Sequence, residues 1–202
     1  MKLMIATRNP HKLDEIRQIF HLPGLILSSA LDHPELPDVE EDGETFEENA
    51  IKKAVTLAQA TGLWALADDS GLEVEALDQA PGVRSARYAG EPVSYPANNR
   101  KLLQSLDGLE NRRARFRCVM ALYSPSGKTH PVEGQCTGTI ARAERGGGGF
   151  GYDPLFVPDG YSKTFSEMEA GEKNALSHRG MALAEARKVW GVLLAGDPAD
   201  WP

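Results

Sequence analysis

Cysteine is scarce in this chain: Cys118 and Cys136 are the only two among 202 residues, and they show no CxxC spacing. That excludes a disulfide framework and argues against a cysteine-ligated zinc site, so two reduced, buried thiols are expected. Positive charge is also in deficit, with 22 Lys and Arg against 29 Asp and Glu and a net charge of -7. A protein that coats nucleic acid needs a basic surface to displace counterions, so no stable nucleic-acid complex is expected. Long apolar runs are missing as well. Met1-Lys2-Leu3-Met4-Ile5-Ala6 turns polar at once, too short for a signal peptide or a membrane span. No membrane association is expected, and a cytoplasmic location is. Without repeats, low-complexity segments or linkers, the expected organisation over 1–202 is one large domain or two intimately packed lobes, not independent domains. Residues 196–202 read as a flexible tail, although Trp201 offers a group that docks.

The chain is organised around Ala65-Leu66-Ala67-Asp68-Asp69-Ser70-Gly71-Leu72. An apolar run from Leu63 and Trp64 reads as a buried strand that stops at two carboxylates and a Ser-Gly turn. Side chains alternate across a strand, so Asp68 and Asp69 are expected on opposite sides. A carboxylate at the carboxyl edge of a sheet is where open α/β folds place ligands, but Asp and Ser are also ordinary turn residues. The stretch alone leaves both readings open.

Upstream, Lys2 to Ala6 reads as a strand and Thr7-Arg8-Asn9-Pro10-His11-Lys12 as a loop into a helix, with Asn9 as N-cap and Pro10 as first helical residue. Leu13, Ile16 and Phe20 give that helix its buried face, ending near Pro23-Gly24. Free N–H groups and the helix dipole make its start a plausible anion cradle, though it lacks the glycines of a P-loop and a plain capped helix explains it too. Leu25 to Ser28 is a second strand, and Asp38 to Glu44 an acidic loop with the oxygen ligands a hard cation takes. Thr45 and Glu48 form a capping box for a helix that stops at Gly62. Asn49 and Lys53, four apart, share one side of it and either face solvent or look across at Asp69.

Downstream, Leu72 to Ala76 reads as a hairpin partner of the central strand, and Asn98 to Leu106 as a helix. A strand alternates at Phe116, Cys118, Met120 and Leu122, and Thr129 to Ile140 pairs with it as a hairpin. Four glycines, Gly146 to Gly149, allow close approach to a ligand, and the aromatics after them suit a base. Ser177 reads as N-cap of a last helix buried through Leu183, Ala186, Trp190 and Leu193. His178 and Arg179 at its start oppose the helix dipole unless something negative is bound.

Five motifs occur in one order: Thr7-x-Asn9-x-x-Lys12, the Glu40 to Ala54 stretch, Ala67-Asp68-Asp69-Ser70-Gly71-Leu72, Phe150-Gly151-Tyr152-Asp153-Pro154, and Ser177-His178-Arg179. Together they resemble the inosine triphosphate pyrophosphatase family, whose members hydrolyse dITP, ITP and XTP to the monophosphate and pyrophosphate. The resemblance implies an α/β fold with an elongated mixed β-sheet flanked by helices, two lobes with the active cleft between them, Mg²⁺ and a homodimer. It assigns the Thr7 to Lys12 loop, including Arg8, Pro10 and His11, to the triphosphate. Glu40 and Asp69 match metal-binding carboxylates, Asp69 matches the proton acceptor, and Ser70 matches a substrate contact. Phe150, Gly151, Tyr152, Asp153, Lys173, His178 and Arg179 match the part that holds the nucleoside. Lys53, with Lys12, is expected to stabilise charge on the phosphate oxygens. Arg8 departs from the glycine the family commonly has, which puts the geometry of the loop in question. The alternatives are a pyrophosphatase acting on another modified nucleotide, and a nucleotide- or RNA-binding module without turnover.

Overall fold

Short caps and apolar stripes set the elements of the computed structural model, which describes residues 1–195. The strands are β1 (Lys2–Ile5), β2 (Ile26–Ser29), β3 (Trp64–Val74), β4 (Arg113–Tyr123), β5 (Thr129–Ile140) and β6 (Phe156–Pro158). The helices are α1 (Pro10–Ile19), α2 (Phe46–Thr61), α3 (Tyr95–Ser105), α4 (Ala170–Leu176) and α5 (His178–Ala195). The strands make one mixed sheet in the order β2-β1-β3-β4-β5-β6, flanked by helices in an α/β fold. β1 runs parallel to both neighbours, with Ile5 opposite Ser29 and Leu66, while β5 and β6 are antiparallel.

Backbone contacts divide the chain into two compact units. The first comprises Met1–Asp69, Cys118–Gly134 and the chain from Arg179; the second comprises Ser70–Arg117 and Gln135–His178. Each has its own core. In the first, Leu3, Ile5, Leu13, Ile16, Leu66, Met120 and Leu183 close around Trp190. The indole N–H of Trp190 donates to the His130 carbonyl at 3.1 Å, and its ring meets Phe20 edge-on at 6.1 Å. In the second, Phe116 packs on Phe156 at 4.8 Å and on Phe165 at 6.0 Å, with Leu72, Leu102 and Leu155 around them.

The capping box at the start of α2 forms as the sequence reads. Thr45 Oγ1 accepts from the Glu48 N–H, Glu48 Oε2 accepts from the Thr45 N–H, and Gly62 ends the helix in the left-handed region at φ 67°. Both cysteines are free and buried. Several readings are corrected. β3 does not stop at the carboxylates; it runs on through Ser70 and Gly71 to Val74, so Leu72 to Ala76 is no hairpin partner but the strand's own end and a 3-10 turn at Glu75–Leu77. The carboxylates do not break it because each meets a donor inside the fold. α1 ends at Ile19, not near Pro23, because Phe20 leaves the helical conformation and is buried. α3 begins at Tyr95 behind the Ser94 cap, three residues earlier than expected, and α4 is a separate helix the periodicity did not show. The expected tail, 196–202, lies outside the described residues. Among those residues no helix is long and apolar enough to cross a membrane.

Candidate active site

Strand alternation in β3 sends two adjacent carboxylates to different neighbours within the first unit. Asp68, 1% exposed, places Oδ2 3.1 Å from Lys12 Nζ and 2.9 Å from Arg179 Nη2. Arg179 in turn donates through Nη1 to Glu15 Oε2 at 2.6 Å. Burial pushes the Asp68 carboxyl up, but Lys12 and then Arg179 and Lys53 outweigh it and hold the group well below the usual carboxylate range. Lys12 is the counterpart: burial lowers its pKa, and Asp68, with Asp69 and Glu41 behind it, more than reverses that. Asp68 Oδ1 is buried with no hydrogen-bond partner among the described residues.

Asp69 sits in the opposite electrostatic condition. Its Oδ2 accepts from Asn49 Nδ2 at 2.9 Å, and its Oδ1 lies 3.9 Å from Lys53 Nζ. Burial raises its pKa; Lys53 and Lys12 oppose that without cancelling it, and Glu41 adds to the rise. Lys53 also donates to the Asp68 carbonyl at 2.5 Å and to Glu41 Oε1. Asn49 and Lys53 thus do look across from α2 at Asp69, as their four-residue spacing allows. One buried anion holds two cations on a single oxygen, and its neighbour has too few to cancel its burial.

That shortage bears on whether the residues fit a metal ion. Among the described residues no three His, Cys, Asp or Glu side chains are arranged to cage one. The donors near Asp69 are all hard oxygens, and the ammonium of Lys53 already lies among three of them. Mg²⁺ commonly takes one or two carboxylates and completes its shell with water and substrate phosphates, so the set fits such an ion and not a protein-only cage. Glu40 is exposed, and the acidic-loop carboxylate that meets Lys53 is its neighbour Glu41.

The start of α1 differs from an open amide cradle. Asn9 Oδ1 accepts from the N–H groups of His11 and Lys12 at 3.0 and 3.3 Å, and Thr7 Oγ1 accepts from the Asn9 N–H at 3.2 Å. Those amides are spent on the loop itself, so the dipole and Lys12 are what it offers an anion. Thr7 is buried, Arg8 and Asn9 are half-buried, and Pro10 and His11 are exposed.

In the second unit the glycine loop approaches the protein's own residues. A Cβ on Gly146 would lie 2.6 Å from the Ser166 carbonyl, and one on Gly149, at φ 71°, would overlap the Asp153 carboxylate. Asp153 Oδ2 accepts from the Phe150 N–H at 2.8 Å and from Lys173 Nζ at 2.7 Å. Lys173 lies 5.0 Å over the Phe150 ring, which touches Tyr95 at 6.0 Å. Tyr152 is buried and donates its hydroxyl to the Ser85 carbonyl, beneath the loop that turns at Gly151. His178 stacks on Phe116 at 4.6 Å and 10°. Ser70 is half-buried on β3.

The structure therefore brings Lys12, Lys53, Asp69 and Arg179 together in one unit and Phe150, Asp153 and Lys173 in the other. The expected cost of Arg179 at the start of α5 is met by Asp68 and Glu15. Glu15 and Glu41 were missed. Glu15 lies three residues after Lys12 on α1 and so shares its face, a usable signal; Glu41 lies in an irregular loop with no period to read.

The chain is 54% identical over 185 residues to a dITP/XTP pyrophosphatase of Geobacter sulfurreducens, covering 91% of this chain and 93% of that one. It is 51% identical over 191 residues to one of Desulforamulus reducens, covering 94% and 95%. A solved HAM1 protein from Coxiella burnetii superposes with a TM-score of 0.86 at 40% identity, covering 94% of this chain and 98% of that one. Residues 3–189 match the Ham1 family, and the chain belongs to it.

Proposed function

We propose that this protein hydrolyses dITP and XTP, with ITP and dXTP, to the nucleoside monophosphate and pyrophosphate; the relatives are named dITP/XTP pyrophosphatases. The observation that carries the reading is the contrast between Asp68 and Asp69. Two titratable neighbours whose surroundings push their pKa values apart mark an assignment of roles. Asp68, paired through one oxygen with Lys12 and Arg179, is the fixed anion that aims them. Asp69, with its raised pKa, is the acceptor for the proton of a water attacking the α-phosphorus. As that P–O bond forms, the bond to the β-phosphate oxygen breaks and pyrophosphate leaves. Lys53 and Lys12 neutralise charge on the phosphate oxygens, where most catalysis in such transfers lies.

Asp69, with Glu40 or Glu41 of the acidic loop, would hold Mg²⁺. When bound, the ion neutralises the leaving pyrophosphate and lowers the pKa of a coordinated water. Phe150, held by the Asp153–Lys173 pair, offers its ring to the base, and the Ser177-His178 turn supplies a donor to the 6-oxo group. Adenine, which presents a donor there, would leave that group unpaired, a penalty worth roughly ten-thousand-fold or more. A homodimer belongs to the same proposal and is checked by sedimentation.

The test is a panel of ITP, dITP, XTP, GTP and ATP with pyrophosphate detection, with Mg²⁺ and with EDTA. Preference for the non-standard purines, lost with EDTA and restored by Mg²⁺, is expected. Equal turnover of ATP would refute the substrate reading, and EDTA-resistant turnover the metal.

A further inference from the structure

Arg8 lies inside the loop assigned to phosphate, yet its guanidinium is engaged elsewhere. Nη1 donates to the Ala30 carbonyl at 2.9 Å, Nη2 to the Leu36 carbonyl at 2.7 Å, and Nε lies 2.7 Å from Asp38 Oδ1. One planar group thus bonds at three points along residues 30–38. That segment is in need of such bonds: from 33 to 45 the chain has neither helix nor strand. Ordering irregular backbone costs conformational entropy that no ladder of backbone hydrogen bonds repays. The fixed points stop two residues short of Glu40 and three short of Glu41, and Glu41 is the carboxylate that meets Lys53 and raises the pKa of Asp69.

We propose that Arg8 is a positioning residue whose side chain clasps the acidic loop and sets its carboxylates for the cation, rather than a ligand of the triphosphate. The part concerning the cation rests on the pyrophosphatase reading; the clasp itself does not. The geometry requires arginine. Three donors in a rigid fork reach three acceptors at once, whereas a lysine ammonium supplies the same charge from a single point. A phosphate contact and a clasp therefore respond differently to Arg8→Lys.

The experiment compares full-length Arg8→Lys, Arg8→Gly and Asp38→Asn with wild type. Amide hydrogen exchange over residues 33–44 is measured without metal or nucleotide, and Mg²⁺ half-saturation and KM for XTP are measured separately. Both Arg8 variants are expected to speed exchange across that segment and to raise the half-saturating Mg²⁺ by about ten- to a hundredfold, the usual effect of removing a group that orients metal ligands. KM for XTP at saturating Mg²⁺ should stay unchanged, since no substrate contact is lost. Asp38→Asn, which keeps both carbonyl bonds, should shift the same readouts by less. Wild-type exchange in both Arg8 variants would overturn the clasp. So would a KM that rises in Arg8→Gly and is restored in Arg8→Lys at unchanged Mg²⁺ dependence. Should wild type hydrolyse nothing in the panel, the functional reading fails while the exchange data still decide the clasp.

Discussion

Asp68→Asn and Asp69→Asn change the same atoms one residue apart, and the structure assigns them opposite consequences. Removing the charge at 68 leaves the buried Arg179 with half-buried Glu15 but without its Asp68 bond, and leaves Lys12 without its ion pair to Asp68. Breaking a buried pair by removing one partner costs about 3–5 kcal/mol; the surviving Glu15 bond places this case toward the lower end. For a chain of this length that is a fall in Tm of roughly 6–20 °C. Asp69 is different. Burial already disfavours its charge, and the Asn49 amide donates to it at 2.9 Å, a bond that an asparagine oxygen at 69 accepts equally well. Asp69→Asn should therefore leave Tm unchanged or raise it, while the rate falls by about 10²–10⁴ with the loss of a proton acceptor.

Differential scanning calorimetry and pyrophosphate release, run on both variants in one buffer, make the comparison. The reasoning is refuted if Asp68→Asn melts with wild type or if Asp69→Asn loses as much stability as Asp68→Asn. Near-normal turnover in Asp69→Asn would remove Asp69 from the chemistry altogether.

Alkaline pH supplies an independent check, because burial pushes Cys118 up to about 12, Cys136 up to about 11 and Tyr152 upward too. The unfolded chain then releases protons first, so stability should fall as pH rises from about 9 toward 11–12; urea midpoints at pH 7 and 10.5 measure it, and a Cys118→Ala, Cys136→Ala variant should fall less. Gly149→Ala should displace Asp153 and release its bonds to Phe150 and Lys173, raising KM for XTP more than it lowers kcat; unchanged KM would detach that loop from the nucleoside.

Much of this was legible wherever local chemistry has a period or a cap. The Thr45–Glu48 box, the αL stop at Gly62 and the shared face of Asn49 and Lys53 all follow from sequence spacing, and all three hold. What was not legible depends on partners far along the chain. A Ser-Gly pair after two carboxylates reads as a turn, but β3 continues because Asp68 is met by residues 12 and 179 and Asp69 by residue 49. Pairing over such separations has no signature in a window of ten residues. The same holds for Arg179, whose cost at a helix start looked like a demand for ligand and is met by Asp68 and Glu15. Glycines 146 and 149 were read correctly as permitting close approach, but the approaching groups are Ser166 and Asp153.

The continuity of β3 is what lets one strand hold two carboxylates in unlike states. Had the chain turned at Ser70, both would have lain on one loop, exposed to one solvent and titrating alike. Within a strand the pleat sends them apart, so the nearest partners of each come from different helices. α1 and α5 supply Lys12 and Arg179 to Asp68; α2 supplies an amide and a more distant ammonium to Asp69. The difference between the two is thus fixed by packing of helices on a sheet. A substitution that repacks α2 without touching any carboxylate, such as Ala54→Val at a wholly buried position, is expected to disturb Lys53 and Asp69 before Asp68. Overpacking of that kind costs about 1–3 kcal/mol, and the rate should fall while the Asp68–Arg179 pair still protects the start of α5 from hydrogen exchange. Loss of that protection alongside the rate would mean the two carboxylates are not separately held.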